Sequence, residues 1–329
     1  MRVATPPLGP HCRPRLPLSR ATRSSRARVG EAACRLAALA LVLLAGGCGR
    51  DGITFLHPHG PVAAIQRHWL FEIIGWMAIV VVPVFILVPA FAWRYRRRNT
   101  KADYRPDWSF SWPLEFVIWG IPIAIVAALA YIIIEHETRF NPYTELASSQ
   151  KPLEVQVVGL NWKWLFIYPE QHIATVGVLA LPQGRPISFS MTSDATIQSF
   201  FIPALGSQIY AMAGMVTKLR LLADRPGELL GENTQFNGTG FMKDSFTVSV
   251  MSPAAFAAWL DGQRANGRSL DDAAYRKLSK DGSMAAAKSN FAVQPDGLLS
   301  FGTVAPDLFR SVVAKYNPAD MHATMSAQR

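Results

Sequence analysis

The stretch "PGELLGENTQFNGTGFMKD", Pro226 to Asp244, decides how the second half of this chain is read: it joins strand-like runs and contains neither cysteine nor histidine. Upstream lie "LEVQVVGLNWKWLFIYPE" (153–170), "RPISFSMTS" (185–193), "IQSFFIP" (197–203) and "TKLRLLA" (217–223), and "SFTVSVM" (245–251) follows. These runs alternate as strands do, and "LPQGRP" and "DRPGE" supply turn chemistry between them. Evenly spaced short strands over about 100 residues predict a β-sandwich. Beyond it, "SPAAFAAWLDGQ", "SLDDAAYRKLSK" and "APDLFRSVVAKY" predict short helices, with Ser269 as an N-cap.

Further out on the N-terminal side the pattern changes to long apolar runs. "WLFEIIGWMAIVVVPVFILVPAFAW", Trp69 to Trp93, has one charge, Glu72, and "WPLEFVIWGIPIAIVAALAYIII" runs from Trp112 to Ile134. Each is long enough to span a bilayer, and aromatic residues mark both ends of the first. Pro83, Pro89 and Pro122 would disrupt soluble helices, but membrane helices tolerate proline where neighbours satisfy the freed carbonyls. The linking segment 94–108 carries six basic residues against two acidic ones, so the positive-inside rule places it in the cytoplasm and both ends of the mature chain outside.

The formal net charge of +10 is concentrated in two places. Residues 1–47 hold eight arginines against Glu31, and the 94–108 loop holds most of the remaining excess. A nucleic-acid binder would carry its basic residues on the folded domain. Here they flank apolar segments, so nucleic acid is excluded as a partner.

Cys12, Cys34 and Cys48 are the only cysteines, which leaves the sandwich without a disulfide framework or a thiolate pair. "CRLAALALVLLAGGCGR" has an arginine, an apolar run and small residues before Cys48, and reads as a signal peptide over 1–47. It is similar to a bacterial lipoprotein signal, in which the cysteine is lipidated, except that Ala45 stands where leucine is usual. An ordinary signal peptide and an uncleaved anchor are the other readings. The expected organisation is a leader over 1–47, an external segment 48–68, a membrane hairpin 69–135, a sandwich 151–252 and a helical extension 253–329.

A dinuclear copper site needs soft thiolates with imidazoles. Between Leu153 and Met251 the chain offers only His172, which follows "YPEQ" at a turn-like position, and no cysteine. Met212, Met215, Met242 and Met251 read as packing residues, since methionine commonly fills gaps in cores.

The motifs "NWKWLFIYPEQHIATV", "SFFIPALGSQIYAMAGM" and "FAWRYR", together with the leader, resemble subunit II of the haem-copper oxidases, most of all its cytochrome bo-type ubiquinol oxidase branch. The likeness runs from about Cys48 to the "PDLF" segment near Phe309. It implies a two-helix membrane hairpin, an all-β cupredoxin-like sandwich lacking its copper site, and a short helical C-terminal tail. By the same resemblance, the ligands of copper-bearing relatives fall on Gln198, Asn233, Asn237, Phe241 and Asp244, none of which is a copper ligand of that kind. The Pro226–Asp244 stretch then keeps the layout of a cupredoxin metal loop without its chemistry.

The resemblance implies further a subunit with no cofactor of its own, in a bacterial inner-membrane complex that oxidises ubiquinol, reduces oxygen to water and translocates protons. Haems and copper would belong to subunit I, the principal partner, with subunits III and IV and membrane lipid alongside and no cytochrome c. The segment 110–329 carries 17 basic and 18 acidic residues, which agrees with the lack of an acidic face for a basic cytochrome. Trp162 and Trp164 would pack or line the interface with subunit I. Glu115 matches the glutamate at the mouth of a proton pathway into subunit I; its other reading is a carboxylate favoured by the dipole of a helix N-terminus. A copper-bearing cytochrome c oxidase subunit and a free-standing, membrane-anchored binding lipoprotein are the alternatives.

Overall fold

The computed structural model describes residues 54–103, 107–137, 142, 143, 148, 150–206, 208–265, 268–291, 293, 294 and 297–316. The leader and Cys48 lie outside these residues.

The first membrane-length helix, α1, runs Pro61–Arg94, and the second, α2, runs Trp112–Glu137. Proline at the first position suits the start of α1, because its missing N–H has no intrahelical acceptor there. At about 1.5 Å per residue α1 extends roughly 50 Å, well beyond a hydrocarbon core of about 30 Å. Its first turns, ahead of Trp69, dock on the sandwich. Ala63 is fully buried. The His59 N–H donates to the Ala204 carbonyl at 2.7 Å, and the Asp224 N–H donates to the His59 carbonyl at 2.8 Å. Most of both helices presents apolar side chains outward, Phe85 and Phe116 each being 76% exposed. Such surfaces belong in lipid or against other apolar helices.

The sandwich is built from β1 (Leu153–Leu160), β2 (Lys163–Tyr168), β3 (Ile173–Val176), β4 (Val178–Pro182), β5 (Pro186–Ser193), β6 (Gln198–Phe201), β7 (Gln208–Ala211), β8 (Thr217–Leu222), β9 (Gly227–Asn233) and β10 (Ser245–Met251). One sheet has the order β4-β10-β9-β6-β7. The other reads β3-β2-β1-β5-β8 and is extended beyond β3 by β12 (Leu299–Phe301). Pairing is antiparallel except for β1 with β5 and β10 with β4. Between the sheets, Trp164, Phe166, Phe200 and Phe246 pack ring on ring, with Phe200 and Phe246 stacked at 5.1 Å. The expected membrane hairpin and sandwich are thus both present.

The C-terminal region carries the three expected helices as α3 (Pro253–Arg264), α4 (Asp272–Leu278) and α6 (Leu308–Ala314), and between the last two a further helix that the sequence reading did not include, α5 (Met284–Asn290). It also carries strands: β12, and β11 (Ser269–Leu270) paired with β13 (Thr303–Val304). Ser269 therefore lies in a strand, and α4 is capped by Asp271, whose carboxylate accepts from the Ala274 N–H at 2.8 Å. A second core forms where Leu270, Leu278, Phe301, Leu308 and Val312 cover the outer face of the β12-containing sheet. It explains why every residue of β2 is buried: Trp164, Phe166 and Tyr168 face the first core, Leu165 and Ile167 the second.

Gly206 tests the attachment of α1. Its φ of +94° disfavours any side chain, and a Cβ there would sit 2.9 Å from the Ala63 nitrogen. Gly206→Val in the detergent-solubilised protein is expected to destabilise the fold by about 1 to 3 kcal/mol and to expose the Thr54–Pro61 segment to protease. Thermal unfolding and limited proteolysis check it.

Candidate functional site

The loop between β9 and β10 is closed at its base by the Asn233 N–H, which donates to the Asp244 carbonyl at 3.0 Å. Its interior is organised by the Asp244 side chain, with that residue only 2% exposed. One carboxylate oxygen, Oδ2, accepts from Asn233 Nδ2 at 3.0 Å and from Asn237 Nδ2 at 2.9 Å. Asn233 is itself fixed, since its Oδ1 accepts from the backbone N–H groups of Ser199 and Gln235 at 2.9 and 3.0 Å. Burial pushes the Asp244 carboxyl above the ordinary aspartate range, against the opposing pull of the two asparagine amides, the Trp164 indole and the Lys163 ammonium. The indole N–H exerts its pull without reaching hydrogen-bonding geometry with any acceptor.

Three of the five positions singled out in the sequence, Asn233, Asn237 and Asp244, therefore meet in one cluster. The other two turn elsewhere. Gln198 is fully buried and donates from Nε2 to the Leu160 carbonyl at 2.7 Å, in space that exists because residue 159 is glycine: a Cβ there would lie 2.8 Å from Gln198 Oε1. Phe241 leans on Phe236, the ring centroids 5.7 Å apart. With Met242, 87% exposed, and Phe236, 72% exposed, it makes an apolar tip to the loop.

Trp162 reaches this loop from the two-residue turn between β1 and β2. Its φ of +58° is strained for a bulky residue, at a cost of about 1 to 3 kcal/mol. The indole N–H donates to the Asn237 carbonyl at 3.3 Å, and the ring lies so close over Gly240 that a Cβ there would be 2.1 Å away. Trp164, paired with it as a candidate interface residue, is fully buried in the first core. It packs and cannot touch another chain, because its side chain points between the sheets.

Lys163, between the two tryptophans, went unremarked in the sequence. It is 2% exposed and donates from Nζ to the carbonyls of Asn161, Lys280 and Gly282 at 3.1, 2.9 and 2.9 Å, tying the α4–α5 connection to the β1–β2 turn. A lysine in a hairpin is ordinarily solvated, so no sequence signal marked it. Burial lowers its pKa, opposed by Asp281 and Asp244.

Among the described residues no group of three or more His, Cys, Asp or Glu side chains could hold a metal ion. The loop's donor set does not fit a thiolate and imidazole copper centre: a carboxylate gathers N–H donors where such a centre gathers lone pairs. Away from the sandwich, Glu115 sits in the first turn of α2, and its Oε2 accepts from Trp119 Nε1 at 2.9 Å.

No family model matches the chain. It is 43% identical over 285 residues to a ubiquinol oxidase subunit 2 of Acetobacter aceti, covering 86% of this chain and 88% of the relative. It is also 40% identical to a cytochrome bo(3) ubiquinol oxidase subunit 2 of Pseudomonas putida, over 84% of this chain and 83% of the relative. A structural comparison finds the periplasmic domain of subunit II of the Bradyrhizobium japonicum cytochrome oxidase at 19% identity and a TM-score of 0.34, covering 36% of this chain and 99% of that one. Fold and loop together define a membrane-attached sandwich whose loop is held by a carboxylate. The chain belongs to the quinol oxidase subunit 2 family.

Asp244→Ala should destabilise the protein by about 1 to 3 kcal/mol, by leaving buried amide donors unpaired. Because the folded pKa of Asp244 is raised, its contribution is fully present below the unfolded value and falls as pH rises through the folded one. The stability gap between wild type and variant is therefore expected to narrow as pH rises above the ordinary aspartate range, as denaturant titration at a series of pH values would read. A gap that widens would mean that the donors outweigh burial.

Proposed function

We propose that this chain is the second subunit of a quinol-oxidising terminal oxidase of the bacterial inner membrane, a complex that reduces oxygen to water and translocates protons. Its relatives are named as subunits of such enzymes. The observation that carries the reading is the Asp244 cluster, which fills the loop with hydrogen bonds and leaves it no copper chemistry. The chain contributes structure and docking; haems, copper and the quinol site belong to subunit I. A lipid-soluble donor can pass electrons to subunit I within the membrane, so a relay on the outer domain is not needed. The apolar tip at Phe236 and Met242, with α1 and α2, offers the surface for subunit I, and subunits III and IV complete the assembly. Cys48 carries a lipid anchor, the 94–108 loop lies in the cytoplasm, and the sandwich lies in the periplasm.

The purified complex should oxidise quinol and leave reduced cytochrome c untouched, with haem bands in its spectrum and no copper bound to this subunit. Turnover with cytochrome c would sink the reading.

Glu115 is the proton-uptake residue in this proposal. It stands in the first turn of α2, on the cytoplasmic side by the topology above, and an ionisable group in such a segment leans towards a proton relay. Glu115→Gln can still accept from the Trp119 indole but cannot carry a proton. Quinol oxidase turnover should fall severalfold at unchanged haem content and assembly, with Glu115→Asp retaining more activity. Normal turnover in an assembled Gln variant would leave Glu115 a purely structural role.

A further inference from the structure

Asp194 lies in the β5–β6 connection, in "TSDATIQSF", and its side chain is 1% exposed. Its backbone is fixed: the N–H donates to the Gly159 carbonyl at 2.9 Å, and the neighbouring Ser193 hydroxyl donates to the Thr196 carbonyl at 2.8 Å. The carboxylate faces the C-terminal region, and three side chains of that region converge on it. Tyr275 Oη of α4 donates to Oδ2 at 2.8 Å; Lys315 Nζ and Tyr316 Oη, just past α6, each donate to Oδ1 at 2.7 Å. Hydrogen bonds to a charged group are among the strong ones in a protein.

The element held this way is a short helix with little intrinsic stability. α6 has seven residues, begins after Asp307 at a φ of +61°, and has no side-chain cap. A helix of two turns is not stable alone. Leu308, Phe309 and Val312 are buried, but the helix is not flush with the sheet. A groove of about 610 Å³ opens between them, lined by Ile167, His172, Val216, Leu308 and Val313. On the far side, Tyr316 packs on Gly214, where a Cβ would lie 3.0 Å from the Tyr316 carbonyl oxygen. Among the described residues, the side-chain hydrogen bonds that tie the arm 305–316 to the rest of the fold gather at its end, on one carboxylate, while Leu308, Phe309 and Val312 hold its middle by burial.

We propose that Asp194 is a latch: the hydrogen bonds it accepts from Lys315 and Tyr316 fasten the 305–316 arm, with Tyr275 of α4 donating to the same carboxylate, and breaking them lets the arm lift from the groove as a unit while the two sheets stay folded. This goes beyond the oxidase reading and does not depend on it. A local opening of this kind costs less than global unfolding, and amide exchange reads it directly.

The test is hydrogen exchange by mass spectrometry on the full-length protein in detergent, comparing wild type, Asp194→Asn, and a Lys315→Met/Tyr316→Phe double variant. The double variant alters side chains at the periphery of the fold and keeps the test decisive if Asp194→Asn fails to fold. The latch requires exchange in 308–316 to rise about tenfold or more in either variant, with β9 and β10 unchanged. It also requires that adding Lys315→Met to Asp194→Asn gives no further rise. Unchanged exchange in 308–316, or a rise shared equally by β9 and β10, would overturn it.

Discussion

The β9–β10 loop turns on a carboxylate, at one of the positions where the resemblance puts a ligand of copper-bearing relatives. A metal centre holds a loop by collecting lone pairs from several chain segments; Asp244 does the converse and collects N–H donors from Asn233 at the end of β9 and Asn237 in the loop. The cross-link is equivalent, since either centre fixes residues that the chain alone would leave free to move. What differs is chemistry. A carboxylate that accepts from two amides has no accessible redox change, so the link it makes is structural.

The surrounding packing follows from that cross-link. With Asn233 fixed, its side chain accepts from the Ser199 backbone and so registers β9 against β6, which brings Phe200 beneath Phe246 in the first core. Trp162 is then placed over Gly240, and its strained backbone persists because the indole is held between that glycine and the Asn237 carbonyl. A residue forced to positive φ survives only where its surroundings over-determine it. Here the loop supplies the constraint.

Much of this was legible in the sequence because it rests on periodicity. β5, β8 and β10 alternate cleanly and were recovered from pattern alone. The run 153–170 reads as one strand candidate and is instead the hairpin of β1 and β2; the full burial of β2 is not visible in it either, because the second covering layer comes from residues more than 100 positions away, such as Leu270 and Phe301. β12 has three residues, too few to show a period, and only its neighbour β3 makes it a strand. Ser269 lost the cap to Asp271 because β11 pairs with β13, a contact that no local signal announces. The five loop positions were found by resemblance; that three converge and two diverge depends on side-chain direction, which spacing does not give. Trp164 and Lys163 show the same limit: for the first the sequence left packing and an interface role both open, and the second went unremarked.

The docking of α1 on the sandwich makes the outer domain part of the membrane anchor and not a body on a tether. Contact is made by backbone groups and small residues, Gly60 against the Leu222 carbonyl and Gly206 against Ala63, so the approach is too close to admit a side chain at either glycine. A long flexible linker would need only solubility from its residues; an interface of this kind needs a particular backbone shape.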